Sequence, residues 1–122
     1  MRKIKLFDPY TNKLEKIAIN QVLDSKFWAS GAGNGNVKKF EEKFSKYVNS
    51  KSSVAVNSGT AALNLALSMY DIKNKEVILP SLSFVATANA IVENGGIPKF
   101  VDINEKTLCI EPEKILDSIT NK

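Results

Sequence analysis

Hydrophobic residues in the first part of the chain recur at helical spacing. Leu14, Ile17, Ala18, Val22 and Leu23 share one face of a helical repeat, which predicts an amphipathic helix over residues 12 to 27. A second face is formed by Val37, Phe40, Phe44, Tyr47 and Val48, with Lys38, Lys39, Glu41, Glu42 and Lys43 turned to water. It predicts a helix capped by Asn36, whose aromatic stripe reads as core packing. Residues 28 to 36 between them hold three glycines and two asparagines, a composition for an irregular loop. Beyond Ser50 the pattern changes to short apolar runs alternating with helical ones. Strands are predicted at 53–56, 76–79 and 98–101, and helices at 60–70, 84–93 and 111–119. The helix at 60–70 is apolar nearly all round, so it is expected to be covered on several sides. Pro112 suits the first turn of the last helix.

Strand, helix, strand, helix, strand at this spacing predicts parallel strands joined by right-handed crossovers, hence a three-layer α/β fold with a mostly parallel sheet. The chain divides into residues 1–50, a helical arm with a glycine-rich loop, and residues 51–122, the start of an α/β domain.

Composition narrows the chemistry. The 43% hydrophobic and 25% charged residues are those of an ordinary globular protein. The net charge of +4 comes from scattered lysines and the single Arg2, without a basic run. Tracking nucleic-acid phosphates needs a basic stripe, so nucleic acid is disfavoured and the lysines read as solvated surface. Cys109 is the only cysteine and histidine is absent, so neither a disulfide nor a metal centre is expected. A reducing cytoplasm fits this usage. The first residues lack the apolar core of a signal peptide, and no stretch reaches about 18 apolar residues, so neither export nor a membrane span is expected.

Two strand-to-helix junctions carry candidate chemistry. At Val56-Asn57-Ser58-Gly59-Thr60-Ala61-Ala62 a strand is predicted to run into an alanine- and leucine-rich helix. Free amides at such a helix start bind anions, Gly59 lets the backbone approach a phosphate, and the hydroxyls of Ser58 and Thr60 add donors. The segment is neither a Walker A loop nor a G-x-G-x-x-G turn. A plain N-cap role for Ser58 or Thr60 is an equal alternative. The second junction, residues 79 to 90, opens on the same sheet edge and presents Phe84. A ligand at the carboxyl edge of the strands would lie near it, so Phe84 is a candidate to stack on a flat ring. Taken singly, it reads more simply as a core aromatic.

Together these segments resemble the DegT/DnrJ/EryC1/StrS family of pyridoxal-phosphate-dependent sugar aminotransferases. Residues 58 to 67 match its S-G-T-A-A-L-x-L-A-L stretch, and residues 76 to 90 match E-V-I-x-P-S-x-T-F-V-A-T-A-N-A. Residues 96 to 103 are similar to its G-A-x-P-x-F-V-D-I pattern, and residues 34 to 41 to G-x-x-V-x-x-F-E. Lys75, Ser83 and the Gly96-Ile97 pair depart from the usual residues without touching the phosphate contacts. The resemblance implies the N-terminal part of the large domain of a fold-type I enzyme. Such enzymes are usually homodimers that move an amino group from glutamate to a keto sugar nucleotide. It implies that Ser58, Gly59 and Thr60 hold the cofactor phosphate, that Phe84 stacks on the pyridine ring, and that Trp28, Ser30 and Gly31 lie near the sugar.

The family's pyridinium-pairing aspartate and Schiff-base lysine belong to motifs that no segment here matches; Asp102 falls in a different one. The expectation is therefore a fragment inactive by itself. The alternatives are a non-catalytic phosphate- or cofactor-binding module that pairs with a complementary chain, and descent from the family's dehydratases.

Overall fold

The first helix starts where its cap is encoded. Asn12 accepts a hydrogen bond from the Leu14 amide at 2.6 Å while Glu15 accepts from the Asn12 amide at 2.6 Å. This reciprocal box satisfies two otherwise unpaired donors and opens α1, Lys13–Asp24. The computed structural model describes residues 3–28 and 35–121, and the chain divides into two compact units, Met1–Ala55 and Val56–Lys122.

In the first unit, α2 spans Asn36–Tyr47. Its cap is Gly35 rather than Asn36: the Gly35 carbonyl accepts from the Lys39 amide at 3.2 Å, and Asn36 is already helical. Phe40 and Phe44 stack with centroids 5.7 Å apart. Their rings are exposed all the same, so the stripe expected to be core is a surface feature here. The strand predicted at 53–56 is absent. A strand exists only through its ladder partner, and the Ala55 amide instead donates to the Glu41 carboxylate at 2.8 Å, while the Ser53 hydroxyl donates to the Glu41 carbonyl.

The second unit holds α3 (Gly59–Ser68), β1 (Glu76–Pro80), α4 (Val85–Glu93), β2 (Ile97–Val101) and α5 (Pro112–Ser118). Strands β1 and β2 pair in parallel, from Glu76 opposite Ile97 to Pro80 opposite Val101, with α4 as the crossover. In that register Leu79 and Val101 point to opposite faces, yet both are buried, so both faces of the sheet are covered at this end. Ala86, Ala90 and Ile91 of α4 complete the core; Ala90, fully inaccessible, lets the helix approach closely. Gly96 is required for the same reason, since a Cβ there would lie 2.8 Å from the Ile91 side chain. The parallel pair and its crossover helix bear out the expected α/β class.

Helix α3 packs on α4 through a face carrying Ala61, Asn64 and Leu67, each half-buried. Leu63 and Leu65 remain exposed. The expectation that α3 is covered on several sides is thus not met, because this unit offers it one partner helix.

Candidate functional site

Helices α3 and α4 both begin at one cleft of about 610 Å³, lined by Gly59, Thr60, Ala62, Leu63, Phe84, Ala86 and Thr87. Ser58 caps α3: its hydroxyl oxygen accepts from the Ala61 amide at 3.1 Å, and its carbonyl accepts from the Ala62 amide at 3.0 Å. Of the four amides a helix start leaves open, that of Ala61 is thereby used; the Ala62 bond is the first of the helix's own ladder. The amides of Gly59 and Thr60 keep no acceptor among the described residues. The capping role weighed for this segment belongs to Ser58, and Ser58 does not line the cleft. Thr60 does.

At α4 the cap is Phe84, whose side chain cannot accept a hydrogen bond. Its carbonyl takes the Thr87 amide at 3.0 Å, which leaves the Val85 and Ala86 amides without acceptors among the described residues. The Phe84 ring is 76% exposed, so it is not the core aromatic that burial statistics favour. Two helix N-termini, each with the positive end of its dipole outward, therefore flank an apolar cleft with one aromatic ring at its mouth. Gly59 fits a close anion: a Cβ built there meets nothing within 4 Å, so packing does not demand glycine. What glycine leaves open is space at the lining of the cleft.

No ionisable side chain is among the lining residues, and no pKa shift arises there. The shifted groups lie outside its lining, at the start of α5. The Asn104 amide, and then Lys114 at 3.0 Å, hold the Glu111 carboxyl below its usual value, and Glu111 in turn raises Lys114. Among the described residues no cluster suits a metal ion, and no helix is long and apolar enough to cross a membrane.

Of the residues assigned from sequence, Gly59, Thr60 and Phe84 meet in the cleft, and Ser58 caps α3 without lining it. Trp28 is exposed in the other unit, its indole nitrogen donating to the Leu23 carbonyl at 3.4 Å. Ser30 and Gly31 lie outside the described residues. Thr87 was missed, although a threonine one turn into a helix whose first residues face a ligand edge is a legible signal.

The model of the DegT/DnrJ/EryC1/StrS aminotransferase family matches residues 9–122. The chain belongs to this family. A GDP-perosamine synthase of Escherichia coli O157:H7 is 38% identical over the whole chain, which covers 33% of that relative. A dTDP-3-amino-3,6-dideoxy-alpha-D-galactopyranose transaminase of Aneurinibacillus thermoaerophilus is 39% identical over 86% of the chain, or 28% of the relative. Among solved structures, the aminotransferase from Psychrobacter cryohalolentis superimposes with a TM-score of 0.87 at 34% identity, over 93% of this chain and 29% of that one. A GDP-4-keto-6-deoxymannose-3-dehydratase with a trapped PLP-glutamate geminal diamine gives 0.87 at 32% identity, over 98% and 32%. The family chain described here thus spans about a third of the length of these relatives, which include both aminotransferases and a dehydratase.

Proposed function

We propose that the cleft between α3 and α4 binds pyridoxal phosphate, and that this family chain carries the phosphate-anchoring part of an aminotransferase acting on a keto sugar nucleotide with glutamate as donor. The observation that carries this reading is the meeting of Gly59, Thr60 and Phe84 in one cleft. Bound there, the cofactor supplies an electron sink for moving an amino group between carbons.

The amides of Gly59 and Thr60 and the Thr60 hydroxyl donate to the phosphate, charge-assisted bonds that fix its position. Phe84 stacks on the ring. Ala62, Leu63 and Ala86 keep water from one side. None of these groups can take up or release a proton near neutral pH, so the proton-moving side chain must come from outside this lining. Trp28, Ser30 and Gly31 remain assigned to the sugar.

By this reading the 122 residues alone bind the cofactor weakly and do not turn over. Phosphate contacts and one stacked ring supply a few kcal/mol, while association costs at least about 4 kcal/mol. The test is to supply pyridoxal phosphate, glutamate and a 4-keto sugar nucleotide and to follow 2-oxoglutarate. Turnover by the pure chain that Thr60→Ala abolishes would refute the inactivity. Turnover restored by adding the remaining two-thirds of a family member as a second chain would support the aminotransferase reading. Cofactor binding with no turnover in that mixture would favour a binding module.

A further inference from the structure

Helix α4 ends in Asn94-Gly95, the dipeptide most prone to spontaneous deamidation because glycine gives the following amide nitrogen unhindered access to the asparagine side chain. Here that amide group is unusually occupied. Asn94 Nδ2 donates to the Ala90 carbonyl at 2.8 Å and to Asn64 of α3 twice, at the side-chain oxygen (3.1 Å) and the carbonyl (3.3 Å). Asn64 is itself oriented by donating its Nδ2 to the Glu93 carboxylate. The attacking atom is held too: the Gly95 amide donates to the Val92 carbonyl at 2.9 Å. On either side, the Gly96 amide donates to Ile91 and the Gly95 carbonyl accepts from Asn74. Asn94 sits at φ −91°, ψ 11°, just outside the helical region.

We propose that Asn94 is a latent deamidation site kept shut by the α3–α4 contact, with Asn64 as its guard, and that its conversion releases the two helices flanking the cleft. In the reaction the Gly95 nitrogen loses its proton to solvent base and bonds to Asn94 Cγ; the Cγ–Nδ2 bond breaks and ammonia leaves. Water then opens the five-membered imide to aspartate or isoaspartate. The net change is amide plus water to carboxylate plus ammonium, with no redox partner. The product cannot keep the contact. A carboxylate at position 94 would face three acceptors, the Asn64 side-chain oxygen and the carbonyls of Asn64 and Ala90, with the Glu93 carboxylate adjacent in sequence. It would also place negative charge at the negative end of the α4 dipole. Amide chemistry alone satisfies this position.

The experiment follows the mass gain at the peptide containing Asn94 during incubation at mildly alkaline pH, in buffer and in concentrated urea. Because reaction must proceed from an opened form, the native rate should be at least about tenfold below the urea rate. Asn64→Ala should raise the native rate and leave the urea rate unchanged. Equal native and urea rates in the wild-type chain would overturn the proposal whatever the variant does, and so would a folded Asn64→Ala chain that deamidates no faster than wild type. Asn94→Asp should melt below wild type; an unchanged melt would overturn the claim that conversion loosens the helices.

Discussion

Replacing Gly59 with alanine separates what the fold needs from what a ligand needs. Gly59 is the first residue of α3, its φ is not positive, and an added Cβ meets nothing within 4 Å. Nothing in the folded chain opposes the methyl group, and the unfolded chain loses freedom. Stability should rise by about 0.4–1 kcal/mol. At roughly 4–8 °C per kcal/mol for a unit of this size, the melting temperature should rise by about 2–8 °C. The same methyl takes up open space at a residue that lines the cleft beside the two open amides. If those amides hold a phosphate, displacing it costs on the order of one hydrogen bond to a charged group, about 1.5–3 kcal/mol. At a factor of ten per 1.4 kcal/mol, pyridoxal phosphate should bind roughly ten- to a hundredfold more weakly.

The pair of measurements is a thermal melt by circular dichroism and a titration followed by amide resonances of Thr60 and Thr87, the latter at millimolar cofactor. Pyridoxal without its phosphate serves as the control and should bind both proteins alike. A lowered melting temperature would mean that the glycine serves the fold and would remove the argument that it is there for a ligand. Unchanged cofactor affinity would mean that the phosphate sits elsewhere.

Phe84→Ala should leave the melting temperature nearly unchanged, within about 0.5 kcal/mol for an exposed side chain, while weakening binding of pyridoxal phosphate by about 0.5–1.5 kcal/mol through lost stacking. Inorganic phosphate, which has no ring, should not distinguish the two proteins in the same titration. For Glu111, the hydrogen bond from Asn104 and then Lys114 lower its folded pKa, so its stabilising contribution is present above the unfolded carboxylate pKa and is lost as pH falls through the folded one. Lys114, raised by Glu111, contributes below the unfolded lysine pKa and ceases to as pH rises through its folded value. Melts of wild type and Glu111→Gln should therefore differ near neutral pH and converge in acid; a constant offset across pH would refute the assignment.

Much of the second unit was legible from sequence for a local reason. Residues 76–80 and 97–101 are largely apolar runs bounded by turn residues, and the crossover between them brings its buried Ala86, Ala90 and Ile91 and its Gly95-Gly96 ending. Residues 53–56 carry an equally good strand pattern and form none, because pattern records a tendency to pair and the Glu41 carboxylate takes the Ala55 amide that a partner strand would use. The exposure of Phe40, Phe44, Leu63 and Leu65 has a related origin: periodicity tells which face seeks burial, never what will bury it.

The cleft shows the same division. Gly59 and Thr60 stood out because a strand-to-helix junction with glycine is chemically suggestive in isolation, and Phe84 because it opens the next helix. That the two junctions share one cleft is a long-range fact, supplied by α4 packing on α3. Once both helix starts face the same space, Ala86 and Thr87 belong to the site through position alone, Ala86 with no side-chain chemistry to announce it. The backbone amides at the start of α3 were legible because glycine marks them; those of Val85 and Ala86 at the start of α4, equally without acceptors among the described residues, carry no side chain that announces them.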